Sequence, residues 1–278
     1  MRLAPLAQRF PSSLVTQAIA SLPFSPMSEL PIYLASDVHL GSAPEGTEGA
    51  FLSWLDHCGS HASQLIINGD LFDFWFEYRN AIPRGHTRVL GALASLVDAG
   101  VPILFQGGNH DWWGGSYLRD EIGVDFRQEP LTLDLQGRKC YLAHGDGVGQ
   151  GDLGYRMLKA LIRGTLTQHA FRWLHPDLGG WIARRVSKTG TRTGEALAKQ
   201  VVRSKFLEEW GVARLESDPD LHLVAFGHTH IPVLREVAPG RHYLNSGDWL
   251  VNRSYAVLRC CEAPVLLRWG DRGPGEPL

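Results

Sequence analysis

Five short apolar segments each end in a compact group of Asp, Asn and His residues, and this arrangement limits the available folds more than any other feature. The groups are Asp37-x-His39, Gly69-Asp70, Gly108-Asn109-His110-Asp111, His144-Gly145-Asp146 and Gly227-His228-x-His230. A short apolar run before such a group predicts a buried strand that delivers polar side chains at its carboxyl end. Loops at the carboxyl ends of neighbouring strands lie side by side, so the five groups are expected to converge at one edge of a sheet.

The apolar runs predict strands, and the segments between them predict helices. Predicted strands cover residues 31–36, 64–68, 101–106, 131–135, 139–143, 221–226 and 241–244. A helix is predicted to begin near residues 50–55, and another covers residues 86–99, where apolar residues recur at helical spacing until Gly100. Strands that alternate with helices, with polar groups at the strand ends, indicate an α/β sandwich.

A segment in the second half of the chain has a different character. Residues 154–206 have a helical pattern and combine Lys and Arg with bulky apolar side chains. We interpret residues 152–208 as a helical insertion, or lid. The expected domain bounds are an N-terminal extension at residues 1–26 with Met27 as the true start, a main domain at residues 27–262, and a C-terminal tail at residues 263–278.

Length and charge place the chain among ordinary globular proteins. Its 278 residues suit one large α/β domain with an insertion, and the 20% charged content with 44% hydrophobic content excludes a disordered chain. The net charge of −2 argues against a protein uniformly adapted to nucleic acid. However, eleven Lys or Arg and three Asp or Glu lie between Gly151 and Lys205. This local excess of positive charge indicates an anionic partner, or alternatively a solvated helical face.

Cysteine spacing and hydropathy exclude two further classes of protein. None of the four cysteines belongs to a CxxC pair, so a disulfide framework and a thiolate metal site are not expected, and a reducing cytosol is the default compartment. No apolar run reaches the length of about 18 residues that a transmembrane helix needs.

The five groups together carry the ligands of a mixed nitrogen and oxygen metal site. Carboxylate, imidazole and amide donors suit Mn, Fe or Zn better than Mg or Ca. A carboxylate can bridge two metals, and Asp70 is the candidate. Two metals about 4 Å apart can hold the attacking and departing oxygens of a phosphoryl displacement. A lone Asp or His at a strand end is more often a cap or turn residue, so the prediction rests on all five groups occurring together.

These five groups, with Gly69-Asp70-x-x-Asp73, resemble the motif set of the calcineurin-like metallophosphoesterases over residues 32 to about 260. The resemblance implies a four-layer αββα sandwich and a dinuclear centre, often of manganese. It implies one metal held by Asp37, His39, Asp70 and His230 and a second held by Asp70, Asn109, His144 and His228. It also implies that His110 stabilises charge or protonates the leaving group, and that Asp111 orients His110.

Within that superfamily the chain is similar to the UDP-2,3-diacylglucosamine pyrophosphatases of lipid A synthesis. The similarity rests on residues 36–40, 69–75 and 144–146, followed by Asp152-x-Gly154-Tyr155. It implies water attack on the α-phosphate of the UDP-sugar, which releases UMP and 2,3-diacylglucosamine 1-phosphate. By this analogy Asp152 and Tyr155 contact the substrate, and Lys188 and Arg192 of the lid are further candidates. The chain differs in one respect, because well-known members have Arg where it has His110.

Three other functions compete with this prediction. The chain could be another phosphodiesterase, nucleotide pyrophosphatase or phosphatase with a soluble substrate. Such a substrate would not need a lid that is both apolar and basic. A scaffold that keeps the fold would lose ligands, and this chain retains them all. A nuclease fits the basic segment but not its bulky apolar residues. We therefore expect an acylated UDP-sugar substrate, no nucleic acid partner, and a cytoplasmic protein peripherally bound to the inner membrane.

Overall fold

The computed structural model describes residues 29–148, 163–186, 194–271 and 273–278, which contain two β-sheets. The first sheet has seven strands in the order β12 (Gly273–Pro277), β11 (Val265–Gly270), β10 (Ser254–Leu258), β1 (Ile32–Ala35), β2 (Gln64–Asn68), β3 (Ile103–Gln106) and β4 (Asp125–Arg127). The second has five strands in the order β5 (Leu131–Leu135), β6 (Arg138–Leu142), β7 (Leu221–Phe226), β9 (Arg241–Asn245) and β8 (Val233–Ala238).

Helices cover the outer faces of both sheets. The described helices are α1 (Thr47–His61), α2 (Thr87–Asp98), α3 (Thr165–Arg172), α4 (Pro176–Val186) and α5 (Gly194–Ser217), with a π-helical turn at Tyr117–Glu121. Helices α1 and α2 pack on the seven-stranded sheet, while α5 packs on β7 and β9. No helix in the described ranges combines the length and the apolar character needed to cross a bilayer.

Three apolar layers hold the sandwich together, and β1 shows how strand alternation produces them. Tyr33 joins the cluster between the seven-stranded sheet and helices α1 and α2. Ile32 and Leu34 point to the opposite face and join the cluster between the two sheets. The third cluster lies between the five-stranded sheet and α5 and includes Leu215. The predicted four-layer αββα sandwich is therefore confirmed.

The topology places the carboxyl ends of six strands at one edge of the sandwich. Strands β1, β2 and β3 run parallel, as do β6, β7 and β9 in the second sheet. The two sheets are joined at this edge, where Asn68 Nδ2 donates to the carbonyl of Ala143 over 3.0 Å. The polar groups predicted at the strand ends therefore lie beside one another.

The structure differs from the prediction in the last part of the chain. A C-terminal tail was predicted at residues 263–278, but Val265–Gly270 and Gly273–Pro277 within that range are β11 and β12 of the seven-stranded sheet, so this segment belongs to the main domain. The proposed end of the lid at residue 208 falls inside α5, whose second half packs on the five-stranded sheet. Short strands such as β4 and β8 were missed because their burial depends on neighbours distant in sequence. The predicted extension at residues 1–26 lies outside the described residues.

Candidate metal centre

The seven predicted metal ligands converge at the edge where the strands end. They are Asp37 and His39 after β1, Asp70 after β2, Asn109 after β3, His144 after β6, and His228 and His230 after β7. Donor atoms of Asp37, His39 and His230 lie within 4.8 Å of one another. Those of Asp70, His144 and His228 form a second group with the same spacing. A third group with this spacing consists of His39, Asp70 and His110. The first two groups contain members of the two predicted ligand sets. In those sets Asp70 was predicted to be shared and Asn109 to be a further ligand.

Asp70 lies between the two groups. Its Oδ2 atom is 3.7 Å from Nε2 of His39, which belongs to the first group. The same oxygen is 3.1 Å from Nε2 of His144, which belongs to the second group. One carboxylate therefore faces both groups, which is the placement that a bridging ligand needs.

Five of the seven predicted ligands have a left-handed backbone, which is uncommon outside glycine. The φ angles of Asp37, His39, Asp70, His228 and His230 are 55°, 51°, 55°, 66° and 56°. Each such conformation costs about 1–3 kcal/mol and persists only when its surroundings impose it, as happens at functional sites. The chain therefore turns sharply after each strand, and packing of the core below must offset that strain.

Glycines before the ligands allow loops from the two sheets to approach closely. A Cβ atom on Gly69 would overlap the imidazole of His144, which comes from the other sheet. A Cβ atom on Gly227 would lie 2.5 Å from Oδ2 of Asp37, closer than real Cβ contacts occur. Glycine at these two positions is therefore a packing requirement of the metal centre.

Several donor atoms in the centre have no hydrogen-bond partner among the described residues. They are Oδ1 of Asp37, Nε2 of His39, Oδ1 of Asn109 and Nε2 of His144. Nε2 of His144 lies 3.1 Å from Oδ2 of Asp70 as a charge contact without a hydrogen bond. Buried polar atoms are nearly always satisfied, and an unsatisfied one costs about 1–3 kcal/mol. Four such atoms with metal-binding chemistry in one place fit a metal centre.

Each of three histidines in the centre has an outer polar group near its other ring nitrogen. Nδ1 of His39 lies 3.5 Å from Oδ1 of Asp73, and Nδ1 of His230 lies 3.3 Å from Oδ2 of Asp248, in both cases as a charge contact without a hydrogen bond. Nδ1 of His144 donates to the carbonyl of Asn68 over 2.9 Å. Such partners fix the ring orientation and leave Nε2 facing the centre. Sequence reasoning assigned no role to Asp73 or Asp248, although both stand in polar groups that follow strands.

The structure assigns to Asp73 the contact with His110 that was predicted for Asp111. Nδ1 of His110 donates to the carbonyl of Asp73 over 2.7 Å, so Asp73 orients His110. Asp111 instead accepts backbone N–H bonds from Leu71 and Gly108, both at 2.7 Å, and from Asp70 at 3.2 Å. Asp111 thus holds the loop of Asp70 in place, and the predicted contact with His110 is replaced because its carboxylate turns toward these backbone donors.

The charges of the centre shift the pKa values of its groups strongly. Burial opposes the charged form of His39, but the nearby carboxylates of Asp37, Asp73 and Asp70 outweigh it and raise the pKa to about 10. Burial likewise opposes the charge of His144, yet Asp70 raises its pKa well above the ordinary value. Burial works against ionisation of Asp70 too, but the charge of His144 holds its pKa well below the ordinary value. Without metal, the two imidazoles therefore carry protons that a bound cation must displace.

The predicted substrate residues Asp152, Tyr155, Lys188 and Arg192 lie outside the described residues. The described part of the lid meets the centre through Arg163, which was not predicted. Its Nη2 atom donates to Oδ2 of Asp146 over 2.7 Å. Its guanidinium carbon also lies 3.2 Å from the ring centroid of Trp112.

Comparison with known proteins agrees with this geometry. Residues 30–232 match the family model of calcineurin-like phosphoesterases. The chain belongs to this family. This phosphoesterase is 33% identical to the UDP-2,3-diacylglucosamine hydrolase of Porphyromonas gingivalis over 81% of its own length and 93% of that protein. It is 30% identical to the protein of the same name from Bordetella pertussis, with 77% and 80% covered.

Solved structures give only a distant comparison. A dimetal phosphatase from Danio rerio is 14% identical, with 90% of this chain and 98% of that chain covered at a TM-score of 0.42. The conclusion therefore rests on the family match and on the site itself. This calcineurin-like phosphoesterase is a hydrolase with a site for divalent metals.

Proposed function

We propose that this phosphoesterase hydrolyses the diphosphate of UDP-2,3-diacylglucosamine. Water attacks the α-phosphate, and the products are UMP and 2,3-diacylglucosamine 1-phosphate. The proposal is carried by the relatives named UDP-2,3-diacylglucosamine hydrolase, which match about four fifths of the chain, from 77% to 81% in the examples given above.

The proposed centre holds two divalent ions, with manganese as the native metal and iron or zinc as alternatives. One ion takes Asp37, His39, Asp70 and His230, and the other takes Asp70, Asn109, His144 and His228. The unsatisfied donor atoms of Asp37, His39, Asn109 and His144 support this assignment. When bound, the ions supply Lewis acidity to the phosphoryl group and compensate its negative charge.

His110 is the proposed acid for the departing sugar 1-phosphate. Its Nδ1 proton is committed to the carbonyl of Asp73, so only Nε2 is available for proton transfer. The ring is partly exposed, with 17% of its side chain accessible, and its centroid lies 4.7 Å from that of His39. His110 can therefore reach a substrate while it stays beside the metal ligands.

The lid is proposed to bind the acylated sugar. Asp152, Tyr155, Lys188 and Arg192 are retained as candidate polar contacts, as the family resemblance implies for the first two. Support from the described residues comes from an aromatic cluster under the lid, where Phe171 of α3 packs 4.7 Å from Phe76 and 4.8 Å from Trp113 between ring centroids. Phe76 is buried, but Phe171 and Trp113 are partly exposed and offer apolar contacts that suit a substrate with hydrocarbon chains.

We further propose that the protein is cytoplasmic and binds the inner membrane peripherally through the lid. Leu166 and Trp173 are 86% and 90% exposed at the two ends of α3. Exposed Leu and Trp among cations are typical of segments that lie at a bilayer interface. No nucleic acid partner is proposed, since the lid is apolar as well as basic.

A direct assay tests the proposed reaction. Purified protein with Mn²⁺ is given UDP-2,3-diacylglucosamine in water enriched in ¹⁸O, with UDP-N-acetylglucosamine as the substrate that lacks both acyl chains. We expect rapid release of UMP that carries the label, and little turnover of the unacylated compound. Label in the sugar phosphate would show that water attacks the β-phosphate instead. Equal turnover of both compounds would show that the enzyme does not recognise the acyl chains.

A second candidate function is hydrolysis of a different phosphodiester. It is favoured by His110, which stands where well-known pyrophosphatases of this kind have Arg. Bis(p-nitrophenyl) phosphate is the test substrate. A value of kcat/KM for this soluble diester that exceeds the value for UDP-2,3-diacylglucosamine would favour the second function.

Membrane binding is tested by sedimentation with vesicles that contain anionic phospholipid. Leu166→Glu should weaken binding because it places a charge on the proposed apolar contact. Leu278→Glu is the matched control, because Leu278 is 50% exposed at the outer edge of the seven-stranded sheet. Equal binding of the two variants would contradict the lid as the docking surface.

A further inference from the structure

Two of the four cysteines are adjacent in sequence and close in space. The Sγ atoms of Cys260 and Cys261 are 3.1 Å apart. Cys260 is half-buried and Cys261 is exposed, whereas Cys58 and Cys140 are buried. The two neighbouring thiols are therefore the accessible ones, and neither belongs to the metal centre.

The turn between β10 and β11 brings the two thiols together. Adjacent residues of an extended strand point to opposite faces, so neighbouring cysteines normally diverge. Here Cys261 has a φ of 62°, in the left-handed region, within a turn closed by a hydrogen bond from the Glu262 N–H to the carbonyl of Arg259. This turn directs both side chains to the same side. The contact with the neighbouring thiol raises the pKa of Cys260, and Cys261 is the more exposed of the two sulfurs, so Cys261 is the thiol that a reagent meets first.

We propose that Cys260 and Cys261 form a redox-active dithiol that small-molecule disulfides convert reversibly into a disulfide between adjacent residues. The Cys261 thiolate attacks one sulfur of the small disulfide and releases one thiol. Cys260 then loses its proton and attacks Sγ of Cys261, which releases the second thiol. The protein loses two protons and two electrons, and the small disulfide gains them as two thiols.

The proposed disulfide is easy to reverse. Adjacent Cα atoms are about 3.8 Å apart across a trans peptide, which is shorter than the separation of about 4.4–6.8 Å in ordinary disulfides. A ring this small is strained, and strained disulfides are reduced readily. The pair therefore responds to the ratio of small disulfide to thiol and does not act as a permanent cross-link.

The location of the dithiol separates its chemistry from hydrolysis. Strand β10 runs antiparallel to β1, and Leu258 pairs with Ile32 at the start of β1. Asp37 follows the other end of β1, so the dithiol and the metal centre lie at opposite ends of the sheet. Closing the disulfide is expected to leave kcat unchanged.

The two remaining thiols do not interfere with a test. Burial raises the pKa of Cys58 well above its ordinary value and raises that of Cys140 to about 12. Thiolate is the reactive form, so both are inert in the folded protein. Reagents added to the native chain therefore report on Cys260 and Cys261.

The test uses the full chain and oxidised glutathione as the small disulfide. After reaction, remaining native thiols are alkylated and the intact mass is measured. We expect the wild-type protein to lose two hydrogens, to retain no glutathione and to become resistant to alkylation at both positions. Cys260→Ser and Cys261→Ser, which each keep one thiol, should instead retain one glutathione. Dithiothreitol should restore both wild-type thiols.

Denaturation provides a second measurement that depends on the turn. In urea the two cysteines remain adjacent in sequence, but the geometry of the turn is lost. Ring closure should then slow by about tenfold or more, because orientation no longer favours it. Persistent mixed disulfides on the native wild-type chain, disulfide-linked dimers, or equal closure rates with and without urea would overturn the proposal.

Discussion

Individual residues of the metal centre are each held by a partner from another loop. Asp111 fixes the Asp70 loop, Asp73 holds His39 and His110, and Asp248 faces His230. The ligands are therefore oriented before a metal binds, and the cost of orienting them is met during folding. Changes at single residues should consequently separate metal binding, proton transfer and loop structure.

Asp70→Asn should remove the carboxylate that is proposed to bridge two metals. Asn has the same size and tolerates the left-handed backbone at this position, where φ is 55°. We expect the metal-free variant still to fold, with a melting temperature lowered by loss of the Asp70 charge beside His39 and His144, while metal content and hydrolysis fall by about 10²-fold or more. Metal analysis of the purified variant beside the wild type checks this. Full activity of the wild type after exhaustive chelation would show that no metal bridge is needed.

His110→Ala and Asp111→Asn should have opposite signatures. Loss of His110 removes a proton donor, so kcat should fall by about 10²–10⁴-fold with metal content intact. Asp111→Asn places an amide where two carboxylate oxygens accept backbone N–H bonds, which should cost about 1–3 kcal/mol of unfolding free energy. Thermal unfolding and kcat measured on both variants test the assignment. A normal kcat for His110→Ala would show that another group donates the proton.

Metal affinity should rise with pH because the metal competes with protons. The raised pKa values of His39, at about 10, and of His144 mean that both imidazoles are protonated at neutral pH without metal. Each proton displaced should strengthen apparent binding by about tenfold per pH unit. Titration of metal-free protein with Mn²⁺ between about pH 6 and pH 8 measures this. A Mn²⁺ affinity independent of pH would contradict the protonation of His39 and His144 in the metal-free protein.

The same shifts set the pH dependence of metal-free stability. Protonated His39 and His144 stabilise the fold fully below their unfolded pKa, and the contribution is lost as pH rises toward about 10. The depressed pKa values of Asp37 and Asp70 act in the opposite direction, and their contribution is lost as pH falls below the ordinary carboxyl pKa of about 3.9. Metal-free protein should therefore lose stability on alkaline titration sooner than metal-loaded protein, as thermal unfolding can show.

At the scale of elements, the lid is attached to loops of the active site. The buried carboxylate of Glu77 accepts backbone N–H bonds from Gly115 at 2.7 Å and Tyr117 at 2.9 Å. These bonds hold the loop that follows Trp113, whose ring contacts α3. Arg163 precedes α3 and contacts both Asp146 and Trp112. Trp112 follows His110 by two residues, and Asp146 follows His144 by two, so Arg163 links the lid to both loops.

Arg163→Met should loosen the lid without damage to the centre. The ion pair and the cation–π contact together contribute about 1–2 kcal/mol. We expect KM for the acylated substrate to rise about tenfold, with a smaller change in kcat and no loss of metal. The exposed Arg172 at the end of α3 gives the matched control, Arg172→Met. Equal kinetic effects of the two substitutions would assign the result to lost lid charge and not to the Arg163 contacts.

At the scale of the whole molecule, the metal centre joins the two sheets. Asp37, Asp70 and Asn109 come from the seven-stranded sheet, whereas His144 and the β7 histidines come from the five-stranded sheet. Metal held by the proposed ligands would connect the two central layers of the sandwich and should stabilise the fold as a unit.

Removal of metal should lower the melting temperature of the wild-type chain. A ligand at a thousand times its Kd stabilises the native state by about 4 kcal/mol. For a domain of this size, each kcal/mol corresponds to about 2–4 °C, so chelation should lower the melting temperature by about 8–16 °C. Asp70→Asn should show a much smaller shift. A wild-type melting temperature insensitive to both chelator and Mn²⁺ would show that the sheets do not depend on the centre.

Local sequence patterns determined most of the central strands and all seven proposed ligands. Apolar runs predict β1, β2, β3 and β7 within a few residues, because a buried strand needs a continuous apolar segment. The polar groups after those runs were recognised because each apolar run is followed directly by Asp, Asn or His, and five such groups would rarely occur together by chance. The family resemblance turned these groups into two ligand sets, and the structure brings their described members together.

Only the tertiary structure decided which residues support the ligands and where the domain ends. The roles of Asp73 and Asp111 depend on the direction in which each side chain turns, which is set by backbone donors of other loops. Strands β11 and β12 are recognised as strands only once β10 lies beside them, because edge strands are stabilised by pairing more than by their own composition. Contacts between distant segments therefore determined what local patterns could not.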